Sequence, residues 1–250
     1  MARSRSTHRR RRGRFSFLLK FFCFALVLGA MVAALTMFFK ADVIIVEGNT
    51  RYTDEQVVEA SGLQVGDNLY LMNKYAHAQK IFQKLPYVES AAINRKLPDT
   101  LLIEVYECAA AAAVPGQNGT WLMSVNGKLL EQTETLPENC TRVIGCLLLD
   151  PAESGDAAVA EEEAYKLEAL KALLCAAEEK RMLADMETID LGDDSCLQFT
   201  YAGRFSVKLP WNADVAYKLE SLATVADYLE LNETGTINLM TEGKASFIPE

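Results

Sequence analysis

The chain has 250 residues, 50% of them hydrophobic and 24% charged. That is enough apolar material for one or two packed domains, and it excludes wholesale disorder and a large multi-span transporter. The net charge of −9 averages two opposite segments. Residues 1–40 carry seven Arg and two Lys with no acid, whereas residues 41–250 carry 16 basic residues against all 34 acidic ones. A reversal this abrupt points to two compartments.

Residues 1–14 form a polar, arginine-rich tail with nothing to pack, read as a solvated cytoplasmic segment. The Arg9–Arg12 run is not followed by anything that would read bases, so nucleic acid is not an expected partner. Residues 15–40 are read as a transmembrane helix. Phe21–Phe39 is an uncharged run of 19 residues, and as a helix it spans roughly 28 Å, close to a ~30 Å hydrocarbon core. Arg14, Lys20 and Lys40 flank it, and Lys20 can snorkel to the headgroups. A cleaved signal peptide has a shorter apolar region ending in small residues, whereas this one ends in Met37-Phe38-Phe39. Arginines before the run place the N-terminus in the cytoplasm and residues 41–250 outside.

Residues 41–108 parse as strand, helix, helix, strand, strand. Asp42–Glu47 is a β-branched strand closed by Gly48-Asn49. Thr53 and Gln56 have capping-box spacing, and Gly62 ends that helix. Asn73–Leu85 carries Ala78, Ile81, Phe82 and Leu85 on one helical face, stopped by Pro86. Tyr87–Lys96 and Thr100–Glu107 form a hairpin around Pro98-Asp99. Two helices on one face of a three-stranded sheet complete a core for about 65 residues.

The stretch VIIVEGNTRYTDEQVVEASGLQVGDNLY (43–70), with LPYVESAAINRKLPDTLLIEVYE (85–107), resembles a POTRA domain. Placed behind one anchor and a basic tail, it resembles the FtsQ/DivIB bacterial cell-division family. The resemblance implies a single-pass protein of the division septum. Its implied partners are small single-pass coiled-coil division proteins, with indirect links to the peptidoglycan synthase complex.

Residues 109–250 are expected to be a mixed domain rich in antiparallel strands, which makes the chain α+β. Ala109–Val114 and Pro115–Gly119 read as a small-residue opening and a loop. Thr120–Val125 and Lys128–Glu131 form a hairpin at Asn126-Gly127, and Arg142–Leu149 is a strand. Asp150–Glu163 reads as a mobile acidic loop whose Glu161-Glu162-Glu163 enters the first turn of a helix running to about Arg181. Its core face is Leu167, Leu170, Leu174 and Ala177. Strands follow at Thr188–Leu191, Cys196–Tyr201 and Arg204–Leu209. Asn212 is expected to cap a helix with Val215, Leu219, Leu222, Ala226 and Leu229 in a stripe. Thr236–Met240 and Ala245–Ile248 close the chain. From SVKLP (206–210) through INL (237–239) to ASF (245–247), this ending is similar to the FtsQ/DivIB C-terminal β domain.

No catalytic constellation emerges. His77 is the single histidine of residues 41–250, in a helix of a domain too small for a cleft. SxxK, GxSxG, HExxH, P-loop and GxGxxG patterns are absent. Five outer cysteines without a CxxC argue against zinc, and no cofactor or metal is expected. Asp193-Asp194 is read as a solvated turn, although a carboxylate pair leaves a cell-wall enzyme as the alternative. A third reading is a secreted product of signal cleavage. The leading expectation is a binding protein whose final strand is an open sheet edge. The candidate partner-binding residues are Ile237, Leu239, Thr241, Lys244, Ala245, Ser246 and Phe247. Proline at Ser246 would test that edge, provided its N–H faces outward.

Overall fold

A computed structural model describes residues 13–137, 140–151, 153–230 and 232–249, the side chains of 13–16 and 35–36 excepted. Most of the basic tail therefore lies outside the described residues, as does the Arg14 side chain. The first helix, α1 (Gly13–Phe38), has no buried residue over Phe17–Ala34. A helix that is apolar all round and unpacked needs an apolar surrounding, and this one is compatible with a single-pass membrane anchor.

The next unit comprises β1 (Val43–Glu47), α2 (Asp54–Ser61), α3 (Lys74–Lys84), β2 (Val88–Lys96) and β3 (Thr100–Glu107). β3 is the centre of the sheet, parallel to β1 and antiparallel to β2. The local signals act as expected. Thr53 and Gln56 make a reciprocal capping box and Gly62 is left-handed. The structure adds a cap at Asn73, read from the sequence only as the start of that helix: its side chain accepts from the Ala76 N–H. Gly48 has φ +88°, and a Cβ there would collide with the Val105 carbonyl oxygen. Val57, Leu69, Ile81, Leu101 and Ile103 fill the core between helices and sheet. Leu102, which alternation places on the opposite face of β3, is buried as well.

The remaining strands form one nine-stranded sheet. They are β4 (Ala112–Gly116), β5 (Gly119–Met123), β6 (Leu129–Thr133), β7 (Thr141–Ile144), β8 (Met186–Asp190), β9 (Leu197–Tyr201), β10 (Phe205–Leu209), β11 (Gly235–Asn238) and β12 (Ser246–Pro249). Their spatial order is β12-β11-β10-β9-β8-β7-β4-β5-β6. Antiparallel pairs outnumber parallel ones, which are β4–β7, β7–β8 and β10–β11. Helices α4 (Ala164–Glu179) and α5 (Val215–Tyr228) bury Leu167, Leu170, Leu174, Ala177, Leu219 and Leu222 against one face.

Several expectations need correction. The small-residue run, given no element from the sequence, holds most of β4, with Ala112–Val114 buried on both faces, and Pro115-Gly116, expected in a loop, finish that strand. The expected strand to Leu149 stops at Ile144, where Gly145 turns at φ +76°. The acidic segment 150–163 is pinned rather than free. Gly155 and Ala158 donate to the Leu129 and Gly127 carbonyls at 2.7 Å, and Leu129 donates to Asp156 at 2.8 Å. Glu161–Glu163 precede α4 rather than forming its first turn, and the cap of α5 is Asp214, not Asn212.

The two units meet at the far end of α3. Alternation along β4–β6 sends Ala113, Leu122 and Leu130 to the face away from α4, where they pack on Tyr87 and Tyr52. Lys128, 5% exposed, reaches into the first unit. Its ammonium donates to the carbonyls of Phe82 (2.9 Å), Leu85 (3.4 Å) and Val88 (2.7 Å) and lies 3.8 Å from the Phe82 ring centre. The last carbonyls of a helix lack intrahelical partners and carry partial negative charge, so a lysine satisfies both needs there. Beside it Tyr87 donates to Glu131 at 2.6 Å, and the Arg51 guanidinium stacks 3.5 Å from the Tyr87 ring.

Candidate functional site

The final hairpin occupies one edge of the large sheet. β11 runs parallel to β10, and β12 returns antiparallel with Asn238 opposite Ser246 and Thr236 opposite Ile248. No described strand lies beyond β12.

Hydrogen-bond direction follows from alternation. Gly235 and Leu239 donate to the Arg204 and Lys208 carbonyls on the β10 side, at 3.2 and 3.0 Å. The odd residues of β11 thus serve β10, and Thr236 and Asn238 serve β12. Thr236–Ile248 and Asn238–Ser246 are then the hydrogen-bonded pairs. Ser246 and Ile248 spend their backbone groups inward. Phe247 turns both its N–H and its C=O outward, and Pro249 offers only a C=O. The condition attached to proline at Ser246 is therefore not met, because that N–H belongs to the ladder.

Of the residues expected at the site, Ile237 and Leu239 are buried in the core and support the edge from beneath. Phe247 is half-buried, its ring edge-to-face with Phe205 at 6.1 Å. Thr241, Lys244, Ala245 and Ser246 are exposed. Between hairpin and α5 lies an open groove of about 240 Å³ lined by Tyr217, Ser221, Val225, Lys244 and Ala245.

Sequence reasoning missed Lys218. It sits beside the α5 stripe, is buried, and donates to the Leu239 and Thr241 carbonyls at 2.6 and 2.8 Å. It fixes the loop between β11 and β12 to α5. No sequence signal separates it from a solvated lysine, since its acceptors are backbone atoms about 20 residues on.

The other residues with potential chemistry hold the fold. His77 Nδ1 lies 2.8 Å from the Ser61 carbonyl and joins α3 to the end of α2. Asp193 accepts from the Ser195 N–H at 2.8 Å, which holds its carboxyl below the usual range. Lys166 bridges Glu163 (2.6 Å) and Asp194 (3.3 Å). Its ammonium is raised above the usual lysine range, chiefly by the Glu163 hydrogen bond. Among the described residues no group of three potential metal ligands occurs, and all six cysteines are free thiols. On the anchor side, Lys20 is exposed on α1 and Lys40 makes an isolated antiparallel bridge with Asn68.

Residues 39–107 match the family model for the POTRA domain, FtsQ-type. The chain is 35% identical over 98 residues to "Cell division protein FtsQ" of Corynebacterium glutamicum, covering 39% of this chain and 44% of that protein. It is 32% identical over 94 residues to "Cell division protein DivIB" of Clostridium acetobutylicum, covering 38% and 37%. A DivIB of Clostridium botulinum is 29% identical over 99 residues, covering 40% and 38%. The matches span about two-fifths of these relatives. They support an FtsQ/DivIB-type cell-division protein.

Proposed function

We propose, starting from an FtsQ/DivIB-type cell-division protein with its POTRA domain, that this chain is a non-enzymatic, single-pass membrane protein of the division septum. Its basic tail faces the cytoplasm, and residues 41–250 lie outside and link other division proteins. The tail's seven arginines and the acid-free first 40 residues support that orientation. The partners are small single-pass coiled-coil division proteins, through which the peptidoglycan synthase complex is reached indirectly.

The observation that carries the reading is the open edge of β12. An unpaired strand edge is a template for an added strand, and backbone hydrogen bonds supply the affinity. At this edge Phe247 is the central outward donor and acceptor, and Lys244 and Ala245 border the groove beside it. The partner's extended segment pairs along Phe247, with its flank against α5.

The test compares Phe247→Pro with Phe247→Leu in the full chain. Both alter the ring, and only proline removes the outward donor. The partner is the protein recovered by crosslinking the anchored chain in its own membranes. Phe247→Pro is expected to weaken binding by on the order of 1–3 kcal/mol beyond Phe247→Leu, with equal thermal midpoints. Equal affinities in the two folded variants would sink strand addition at β12.

A further inference from the structure

The end of the POTRA domain at which the chain enters from α1 differs in surface from the rest of the outer region. Topology gathers three segments there: the start of β1, the loop between α2 and α3, and the turn between β2 and β3. Backbone hydrogen bonds pin them to the residues that follow α1. Leu69 donates to Phe39 at 2.9 Å, Ala41 to Asp67 at 2.8 Å, Gly66 to Ala41 at 2.8 Å and Asp42 to Asp99 at 2.8 Å. The Phe39 and Tyr70 rings meet edge-to-face at 5.0 Å. Phe39 is one residue past α1, so these loops cannot move away from the end of the helix.

On this end several large apolar side chains are exposed. Val65 is 69% exposed, Leu71 74%, Tyr75 86% and Leu97 55%. Residues 39–42, 64–75 and 95–99 hold Lys40, Lys74, Arg95 and Lys96 against Asp42, Asp67 and Asp99, a local charge of +1 within residues 39–250, which carry −17. Large apolar side chains clustered in the open mark an interaction surface. Tyrosines mixed with leucines and lysines are the composition of a membrane–water interface.

We propose that this end of the POTRA domain is seated in the outer leaflet of the bilayer that α1 crosses. Leu71 and Leu97 enter the boundary between headgroups and acyl chains. Tyr70 and Tyr75 lie at headgroup level, and Lys40 and Lys74 meet the lipid phosphates. The occupant is a phospholipid surface because the patch continues directly from an apolar helix with no free linker between them. The proposal rests on the reading of α1 as a membrane anchor. The seat fixes the tilt of the domain on the membrane, and so the direction in which the large sheet projects.

The test places single added tryptophans in the full chain, reconstituted in vesicles of phosphatidylcholine and phosphatidylglycerol with or without acyl-chain bromine as quencher. Trp121 and Trp211 lie in the large-sheet unit and remain as a common background. Leu71→Trp and Leu97→Trp probe the seat, and Val27→Trp probes the middle of α1. Glu55→Trp, at the start of α2 on the opposite end of the domain, is the aqueous control. All four positions are solvent-exposed, so the substitutions leave the packing intact. The added emission of Leu71→Trp and Leu97→Trp is expected to be quenched several-fold more than that of Glu55→Trp. If Val27→Trp is quenched and either seat position matches Glu55→Trp, the seat is wrong and the anchor stands. If Val27→Trp also escapes quenching, the anchor reading fails and the seat falls with it.

Discussion

Buried lysines do unusual work in this chain. Lys128 and Lys218 are both nearly inaccessible, and each directs its ammonium at backbone carbonyls. A buried charge is costly unless its donors are satisfied, and two or three carbonyls at hydrogen-bond distance meet that need. Burial pushes Lys128 below the usual lysine range. The same dry joint acts on thiols. Burial raises Cys140 to about 11, from an ordinary value of 9.0. The thiolate is the reactive form, and two pKa units mean about 100-fold less of it at neutral pH. Alkylation of Cys140 by iodoacetamide at pH 8 is therefore expected to run about 100-fold slower in the native chain than in the denatured one. The native rate should climb until pH is near 11. Peptide mass spectrometry reads the rate, and a native rate that levels off near pH 9 would mean the thiol is not held in the joint.

Among the elements, the start of α5 separates two readings of one segment. Asn212 has the right chemistry for a cap, but Asp214 supplies it, its carboxylate accepting from the Tyr217 N–H at 3.2 Å. Asp214→Ala is expected to cost about 0.5–2 kcal/mol, the usual loss for a helix N-cap. Asn212→Ala should cost clearly less, and chemical denaturation of the two variants decides it; equal losses would overturn the assignment. This two-residue slip illustrates what the sequence made legible. Signals contained within a few residues were readable: the Thr53–Gln56 box, the Gly62 helix stop, the Asn126-Gly127 turn and the core face of α4. β4 was not, because Ala112-Ala113-Val114 is buried on both faces and carries no alternation to detect. The pinning of 150–163 and the parallel β10–β11 pair depend on partners distant in sequence, which leave no local trace. At the site, the existence of a final hairpin was legible. The direction of its free N–H groups was not, because it follows from which neighbour claims the odd residues of β11.

At the scale of the whole molecule, the order of the large sheet sets the reach of the protein. β6 carries Glu131 at the joint with the POTRA domain, and β12 is the opposite edge. Eight strand spacings separate them, roughly 38 Å at about 4.8 Å each. An edge at that distance has a defined position only if the joint is stiff. The joint has an apolar part, with Tyr87 and Tyr52 against Leu122 and Leu130, and a polar part in which Lys128 closes the end of α3. Lys128→Met keeps the stem over the Phe82 ring and leaves three carbonyls of the POTRA domain without that donor. The expected loss is about 1–3 kcal/mol, the cost of unsatisfied buried acceptors. It should fall on the coupling between units as well as on total stability. In the full chain in detergent micelles, hydrogen exchange of α3 amides follows the POTRA domain. Trp121 and Trp211 fluorescence follows the large sheet. Coincident probes mark one cooperative unit, so the native chain is expected to lose both signals at one midpoint. In Lys128→Met the α3 amides should open at lower temperature than the tryptophans report. If the two signals still coincide in the variant, Lys128 is not what couples the units, and the stiffness must come from the tyrosine packing alone.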